Sequence, residues 1–218
     1  MAFFSSGSKA IDSTLGGGFR AGSLTHIYGR SGSGKTQIAM QAVLEAARGG
    51  GRSLFIDTEG SFRPERLEEM SKERGLQSKR LLDAITYVRI DSYSEQMETV
   101  RSMSSRSLTS PCGLVVIDTL TRNFSVALPG SANLANRQAA LDVHLSEMAR
   151  DAYLGRRAYL LTNRVTFGSL NDVGIGGRTV EQMVDISIRL EKDRGQVKGN
   201  IVPSGKGFSV GLNAAGLE

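Results

Sequence analysis

Short apolar runs alternate along this chain with longer stretches in which apolar residues recur at helical spacing. Leu24–Tyr28 reads as a short buried strand, and Ser53–Ile56, Ile85–Arg89, Leu114–Ile117 and Ala158–Thr162 read as further strands. Between them the pattern predicts helices at Thr36–Arg48, Pro64–Arg74, Ser94–Leu108 and Leu134–Leu154. Pro64 suits a first helical turn, where a missing N–H costs nothing, and Gly75 suits the position just past the end. In the last of these helices Leu134, Leu141, Leu145 and Met148 form one apolar face. Ile186–Leu190 alternates and reads as a half-buried strand. Asn200–Val202 and Phe208–Leu212, around Pro203–Gly207, predict an antiparallel edge. Strands alternating with helices imply an α/β fold: a mostly parallel twisted sheet flanked by helices, with a small antiparallel C-terminal edge.

Composition narrows the class. The chain has 218 residues, 39% hydrophobic and 22% charged, without repeats, charge blocks or long linkers. That is expected to make one domain spanning 1–218. No apolar run approaches the ~18–20 residues of a membrane span. The start, Met1 to Gly7, has neither the basic residues nor the apolar length of a secretory signal. A single cysteine, Cys112, excludes an internal disulfide and a cysteine-rich zinc site. The expectation is a cytoplasmic protein in a reducing compartment, with no membrane partner. A net charge of +5 is compatible with a polyanionic partner but does not establish one.

The stretch Gly29-Arg30-Ser31-Gly32-Ser33-Gly34-Lys35-Thr36 fits G-x-x-x-x-G-K-[ST] at every fixed position. It follows a predicted strand and opens a predicted helix. In that setting glycines let successive N–H groups curl around a phosphate, and the helix N-terminus adds partial positive charge. Lys35 is placed to reach β- and γ-phosphates, and Thr36 to hold the accompanying Mg²⁺.

Two further strand ends carry carboxylates. Leu114–Ile117 runs into Asp118, a placement that orients Mg²⁺ in a parallel-sheet crevice or, alternatively, only caps the strand. Leu54-Phe55-Ile56-Asp57-Thr58-Glu59 ends a second run. Hydrolysis needs a group that positions or deprotonates water, and Glu59 is the candidate; the competing reading is a cap or an ion pair with nearby Arg63. The two histidines, His26 and His144, carry no metal signal and read as structural.

Asp57-Thr58-Glu59-Gly60-Ser61-Phe62-Arg63-Pro64-Glu65-Arg66 resembles the RecA/RadA recombinase family, in its archaeal and eukaryotic branch. Ser6–Asp12 with Leu15–Gly18, then Leu134–Gln138, Leu161–Asn163 and Ile175–Gly177, follow in the family's order, so the resemblance runs from about Phe4 to Leu190. It implies a RecA-like P-loop ATPase core using ATP and Mg²⁺, with Arg66 near the adenine; the alternative for Arg66 is a solvated helix residue pairing with Glu69 or Glu73. With three departures the chain resembles the core-only archaeal paralogues of the RadB kind, or a close relative among the core-only paralogues. The N-terminal helical DNA-binding domain and polymerisation segment are expected to be missing. The loop Asn123–Ala132 carries Ser125 and Ser131 where the family presents arginines to single-stranded DNA. After Asn163 the loop is short, and Arg164 replaces a glutamine that senses the γ-phosphate. Gln182 likewise stands where the family has a histidine that feels a neighbouring subunit's nucleotide.

Arg164 therefore has three readings: a cation at the γ-phosphate, a DNA phosphate contact, or a surface residue with neither role. Other candidate DNA contacts are Arg122, Arg137, Arg178, Lys192, Arg194, Lys198 and Lys206; Lys192, Arg194 and Lys198 crowd a predicted hairpin near the C-terminus. Such contacts are sequence-blind and salt-sensitive. At 6% aromatic residues the chain lacks the means for an extensive base-stacking platform. Two functions follow from the resemblance. One is a weakly hydrolysing, DNA-modulated ATPase, nucleoid-associated, that assists homologous recombination and repair. The other is a mediator that binds the main recombinase and uses ATP as a conformational ligand. A small-molecule kinase would need an arginine-rich lid, and no lid-like insertion is visible.

Overall fold

In the computed structural model, residues 2–105, 112–165 and 174–218 are described. Strands β1 (Phe3–Phe4) and β2 (Phe19–Arg20) form a small antiparallel pair around helix α1 (Lys9–Thr14). The main sheet begins with β3 (Ser23–Gly29), followed by α2 (Lys35–Arg48), β4 (Arg52–Asp57), α3 (Pro64–Glu73), α4 (Ser78–Leu82), β5 (Ile85–Arg89) and α5 (Tyr93–Ser105). It continues with β6 (Cys112–Asp118), α6 (Arg122–Ala127), α7 (Leu134–Gly155), β7 (Ala158–Asn163), α8 (Gly177–Met183), β8 (Ile186–Asp193), β9 (Gln196–Val202), β10 (Gly207–Asn213) and β11 (Gly216–Leu217).

Among the described residues, nine strands pair in the order β11-β10-β9-β8-β3-β7-β6-β4-β5. Those from β8 to β5 run parallel, and β9, β10 and β11 add antiparallel neighbours. The expected class and antiparallel edge are both present. Short elements account for the differences. Helix α6 overlaps the first part of the stretch Asn123–Ala132 expected to be loop. The end expected for the third predicted helix, residues 106–108, lies outside the described residues.

Burial follows the period of two that a pleated strand imposes. On β6, Leu114 and Val116 enter one apolar layer, while Val115 and Ile117 enter the other. Ala158 and Leu160 of β7 join the first layer, Tyr159 and Leu161 the second. Helix α2 fills the first layer with Ile38, Ala42 and Val43; α7 fills the second with Leu141, Leu145 and Met148. Because both faces are covered, these strands read as continuous apolar runs.

A fully buried ion pair ties the second layer to the sheet. Arg157 Nη1 donates to both Asp151 carboxylate oxygens at 2.5 and 2.6 Å, and Tyr159 Oη donates to the same carboxylate at 2.6 Å. Burial, together with that carboxylate, pushes the Tyr159 phenol well above its ordinary pKa. Among the described residues no helix is long and apolar enough to cross a membrane.

Candidate nucleotide site

Parallel pairing sets the site. β4 and β6 align Asp57 with Asp118, and β3 and β7 align Tyr28 with Asn163. The carboxylates and the turn after β3 therefore open at one sheet edge, the carboxyl end where α/β folds form crevices. A crevice of about 280 Å³ is lined there by Gly32, Lys35, Thr36, Glu59, Asp118 and Arg164, among others. The sequence-based candidates for phosphate, metal and water thus converge.

The turn is one that only its own residues can make. A Cβ on Gly29 would lie 2.3 Å from the Leu190 carbonyl oxygen and 2.7 Å from Ser33 Oγ. Gly34 caps α2 at φ +101°, a left-handed conformation glycine adopts without penalty. Lys35 opens the helix, largely buried, and its Nζ donates to the carbonyls of Gly29 at 2.9 Å and Arg30 at 2.8 Å. Burial lowers the pKa of this ammonium; Arg164 adds to the effect, while Asp118 and Glu59 oppose it. Amides at a helix N-terminus, close backbone packing and a desolvated cation are the donor set that fits a phosphate chain.

Asp118 is the hub of the opposite wall. Its Oδ2 accepts from Thr36 Oγ1 at 2.8 Å and from Ser61 Oγ at 2.6 Å, and its Oδ1 accepts from Thr162 Oγ1. A hydroxyl and a carboxylate held together, both oxygen ligands, suit a hard cation such as Mg²⁺.

Glu59 is tied to Arg164 rather than to Arg63. Arg164 Nη2 donates to Glu59 Oε2 at 2.7 Å, whereas Arg63 turns to the carbonyls of Gly60 and Phe62. That pairing raises the pKa of the Arg164 guanidinium. Asn163 anchors the segment: it accepts from Thr121 Oγ1 at 2.7 Å and from the Arg164 backbone N–H at 2.9 Å.

Sequence reasoning missed what holds Glu59 and Ser61. The Asp57 carboxylate is fully buried and accepts the backbone N–H groups of Glu59, Gly60, Ser61 and Phe62. The available signal was an aspartate at a strand end, three residues before a glycine, the composition of a side-chain-closed turn. Thr162, in the middle of the Leu161-Thr162-Asn163 motif, was likewise overlooked as an Asp118 partner.

Other candidates do not line this crevice. Arg66 donates to Gln37, Glu69 and the carbonyls of Asn213 and Ala214, so it fastens α3 to the turn after β10. Lys192, Arg194 and Lys198 do share the β8–β9 hairpin, but β10 covers β9, so that hairpin is not at a free sheet edge. Lys198 pairs with Asp193 at 2.8 Å. Arg137 donates to the Leu128 carbonyl, Arg122 to Asn123 Oδ1. Arg178 and Gln182 stand exposed on α8, and Lys206 is exposed in the turn before β10.

Sequence comparison agrees with this geometry. The DNA repair and recombination protein RadA of Metallosphaera sedula is 36% identical over 201 residues, covering 87% of this chain and 62% of that protein. The protein of the same name from Ignicoccus hospitalis is 33% identical over 205 residues, covering 87% and 63%. The chain thus spans a little over three fifths of the length of these relatives. The Rad51 family pattern matches residues 1–203, and the chain belongs to the Rad51 family, with its RecA-like domain.

Proposed function

We propose that this chain binds ATP with Mg²⁺ and hydrolyses it slowly, in the service of DNA recombination and repair. The convergence of Lys35, Thr36, Asp118 and Glu59 on one crevice carries this reading. The amides from Gly32 to Thr36 take the β-phosphate, and Lys35 bridges to the γ-phosphate. Thr36 and Asp118 would hold Mg²⁺, which when bound offsets phosphate charge. Glu59 accepts a proton from water as its oxygen attacks the γ-phosphorus and the bond to the bridging oxygen breaks. The RadA relatives support the recombination context.

DNA contact is proposed at the exposed cations, with Arg178, Lys192 and Arg194 the foremost. Measuring ATP turnover with and without single-stranded DNA tests both halves. Slow turnover that DNA alters is expected, and an absence of turnover under all conditions contradicts hydrolysis. The Arg164–Glu59 pair favours a second reading, a mediator in which ATP is a conformational ligand. That reading expects tight ATP binding, negligible turnover, and repair activity that survives Glu59→Gln.

A further inference from the structure

A second cavity, of about 550 Å³, opens at the other end of α2 from the crevice. Arg48, Arg52 and Arg80 line it beside Leu76, Leu81 and Ala84, so the end of α2, the start of β4 and helix α4 all contribute. Its size falls in the ~300–1,000 Å³ range of ligand-binding clefts. Helix α2 begins at Lys35, in the crevice, and ends at Arg48, in this cavity. Its 14 residues set the two sites about 20 Å apart.

The polar groups left over there are donors. At the end of α2 the Ala46 carbonyl accepts Gly51 N–H at 2.9 Å and the Ala47 carbonyl accepts Gly50 N–H at 3.0 Å. On α4 the carbonyls of Lys79 and Leu81 accept from Asp83 and Ala84, both at 3.1 Å. Among the described residues that line the cavity there are three guanidiniums and no carboxylate. Arg48 Nε donates to Glu45 at 2.7 Å, which leaves its other N–H groups free. Arg52 and Arg80 are exposed and, among the described residues, take part in no ion pair. Asp83, the carboxylate nearest Arg80 in the chain, neither lines the cavity nor pairs with it. The floor, by contrast, is apolar: Leu81 packs against the core that α2 fills, and Leu76, Leu81 and Ala84 are only half buried.

We infer that this cavity docks an acidic peptide segment of a partner protein. An aliphatic side chain of the segment covers Leu76 and Leu81, and flanking carboxylates meet Arg52, Arg80 and the free edge of Arg48. Guanidinium takes a carboxylate through two parallel charge-assisted hydrogen bonds, and the buried aliphatic group removes both leucines from water. A phosphodiester backbone supplies the charge but has nothing to fill an apolar floor. Ion pairs at an exposed rim are individually weak and are screened by salt, so the affinity is modest and falls as salt rises. Docking here needs no nucleotide, because the crevice lies at the opposite end of α2.

The experiment titrates the protein into a short fluorescent peptide, one leucine flanked by glutamates, and reads anisotropy at low salt. The variants are Arg52→Glu, Arg80→Glu and the two together. The control joins Lys9→Glu to Arg150→Glu, which changes net charge equally at two exposed positions outside the cavity. Thermal unfolding shows that each variant is folded. The expected result is saturable binding to wild type, weakened about fivefold by each reversal and at least about tenfold by both, with the control within about twofold of wild type. Replacing the peptide's leucine by serine is expected to weaken wild-type binding about tenfold. No saturable binding to wild type overturns the inference. Equal losses in the control and in the Arg52→Glu, Arg80→Glu protein overturn it too, because net charge alone would then hold the peptide. A single-stranded oligonucleotide that binds wild type and is lost on the same two reversals, with the peptide not binding, would assign the cavity to a phosphodiester backbone instead.

Discussion

Asp57 Oδ1 accepts the backbone N–H of Glu59 at 2.9 Å, so the candidate base is positioned by a carboxylate two residues earlier in the chain. The same oxygen takes Gly60 N–H at 2.7 Å and Ser61 N–H at 3.2 Å, and Oδ2 takes Phe62 N–H at 3.1 Å. One buried side chain thereby fixes the whole turn that carries Glu59 and Ser61. Arg89, 3.5 Å away, supplies the nearest positive charge. Asp57→Asn replaces one acceptor oxygen by a donor and removes the charge. Denaturant unfolding is expected to show a loss of about 2 kcal/mol. ATP turnover is expected to fall further than ATP affinity, because the loop after β3 is untouched. Equal losses in both would mean that Asp57 supports the fold alone.

Ser61 links that turn to Asp118 through a 2.6 Å hydrogen bond. Ser61→Ala leaves Thr36 and Thr162 on the carboxylate but frees one side of it. The expected outcome is a several-fold rise in the Mg²⁺ concentration needed for half-maximal ATP binding, the effect of losing a partner that orients a metal ligand. Mg²⁺ titration of ATP binding checks this, and an unchanged midpoint contradicts it.

Asp151 is the counter-charge of a guanidinium with no exposed surface. Asp151→Ala leaves Arg157 charged and buried, which is expected to destabilise the protein by about 3–5 kcal/mol. The pair lies at the start of β7, whereas the crevice is at the strand's other end. Any protein that stays folded is therefore expected to bind ATP normally, which thermal unfolding with and without nucleotide would show.

Two histidines make stability depend on pH. Burial pushes both His26 and His144 down to a pKa of about 3. His26 stacks on Tyr28 and meets Ser187; His144 meets Gln96 and Phe124. The unfolded chain takes up these protons near pH 6.5 and the folded chain does not. Stability is thus fully present above about pH 6.5 and declines on acidification toward the folded value, by up to ~1.4 kcal/mol per pH unit for each histidine. Urea unfolding between about pH 7.5 and about pH 5 is expected to show the decline, and His144→Gln to reduce its slope by roughly half. A flat profile contradicts the neutral, buried state.

What the sequence made legible was whatever is encoded locally. The parallel strands, Ile186–Leu190 of β8 among them, announced themselves because each is a short run rich in apolar or β-branched residues. The phosphate loop was legible because its glycines are required by backbone contacts such as Gly29 against Leu190. Helix α6, six residues long, left too few turns for an apolar period to show. The Thr162–Asp118 contact depends on which strands become neighbours, and strand order has no local signature. Arg66 shows the same limit: its partners Asn213 and Ala214 lie 147 and 148 positions away, so its attachment to the C-terminal turn was invisible.

ATP binding measured calorimetrically with Mg²⁺, on wild type and on Lys35→Ala, addresses the crevice most directly. Lys35 is a largely buried cation facing the loop carbonyls, and its removal takes away the charge that meets the phosphates. Saturable uptake of one ATP by wild type, weakened at least tenfold in Lys35→Ala, is the expected result. No uptake by the wild-type protein, or equal uptake by both, would show that the triphosphate does not sit there.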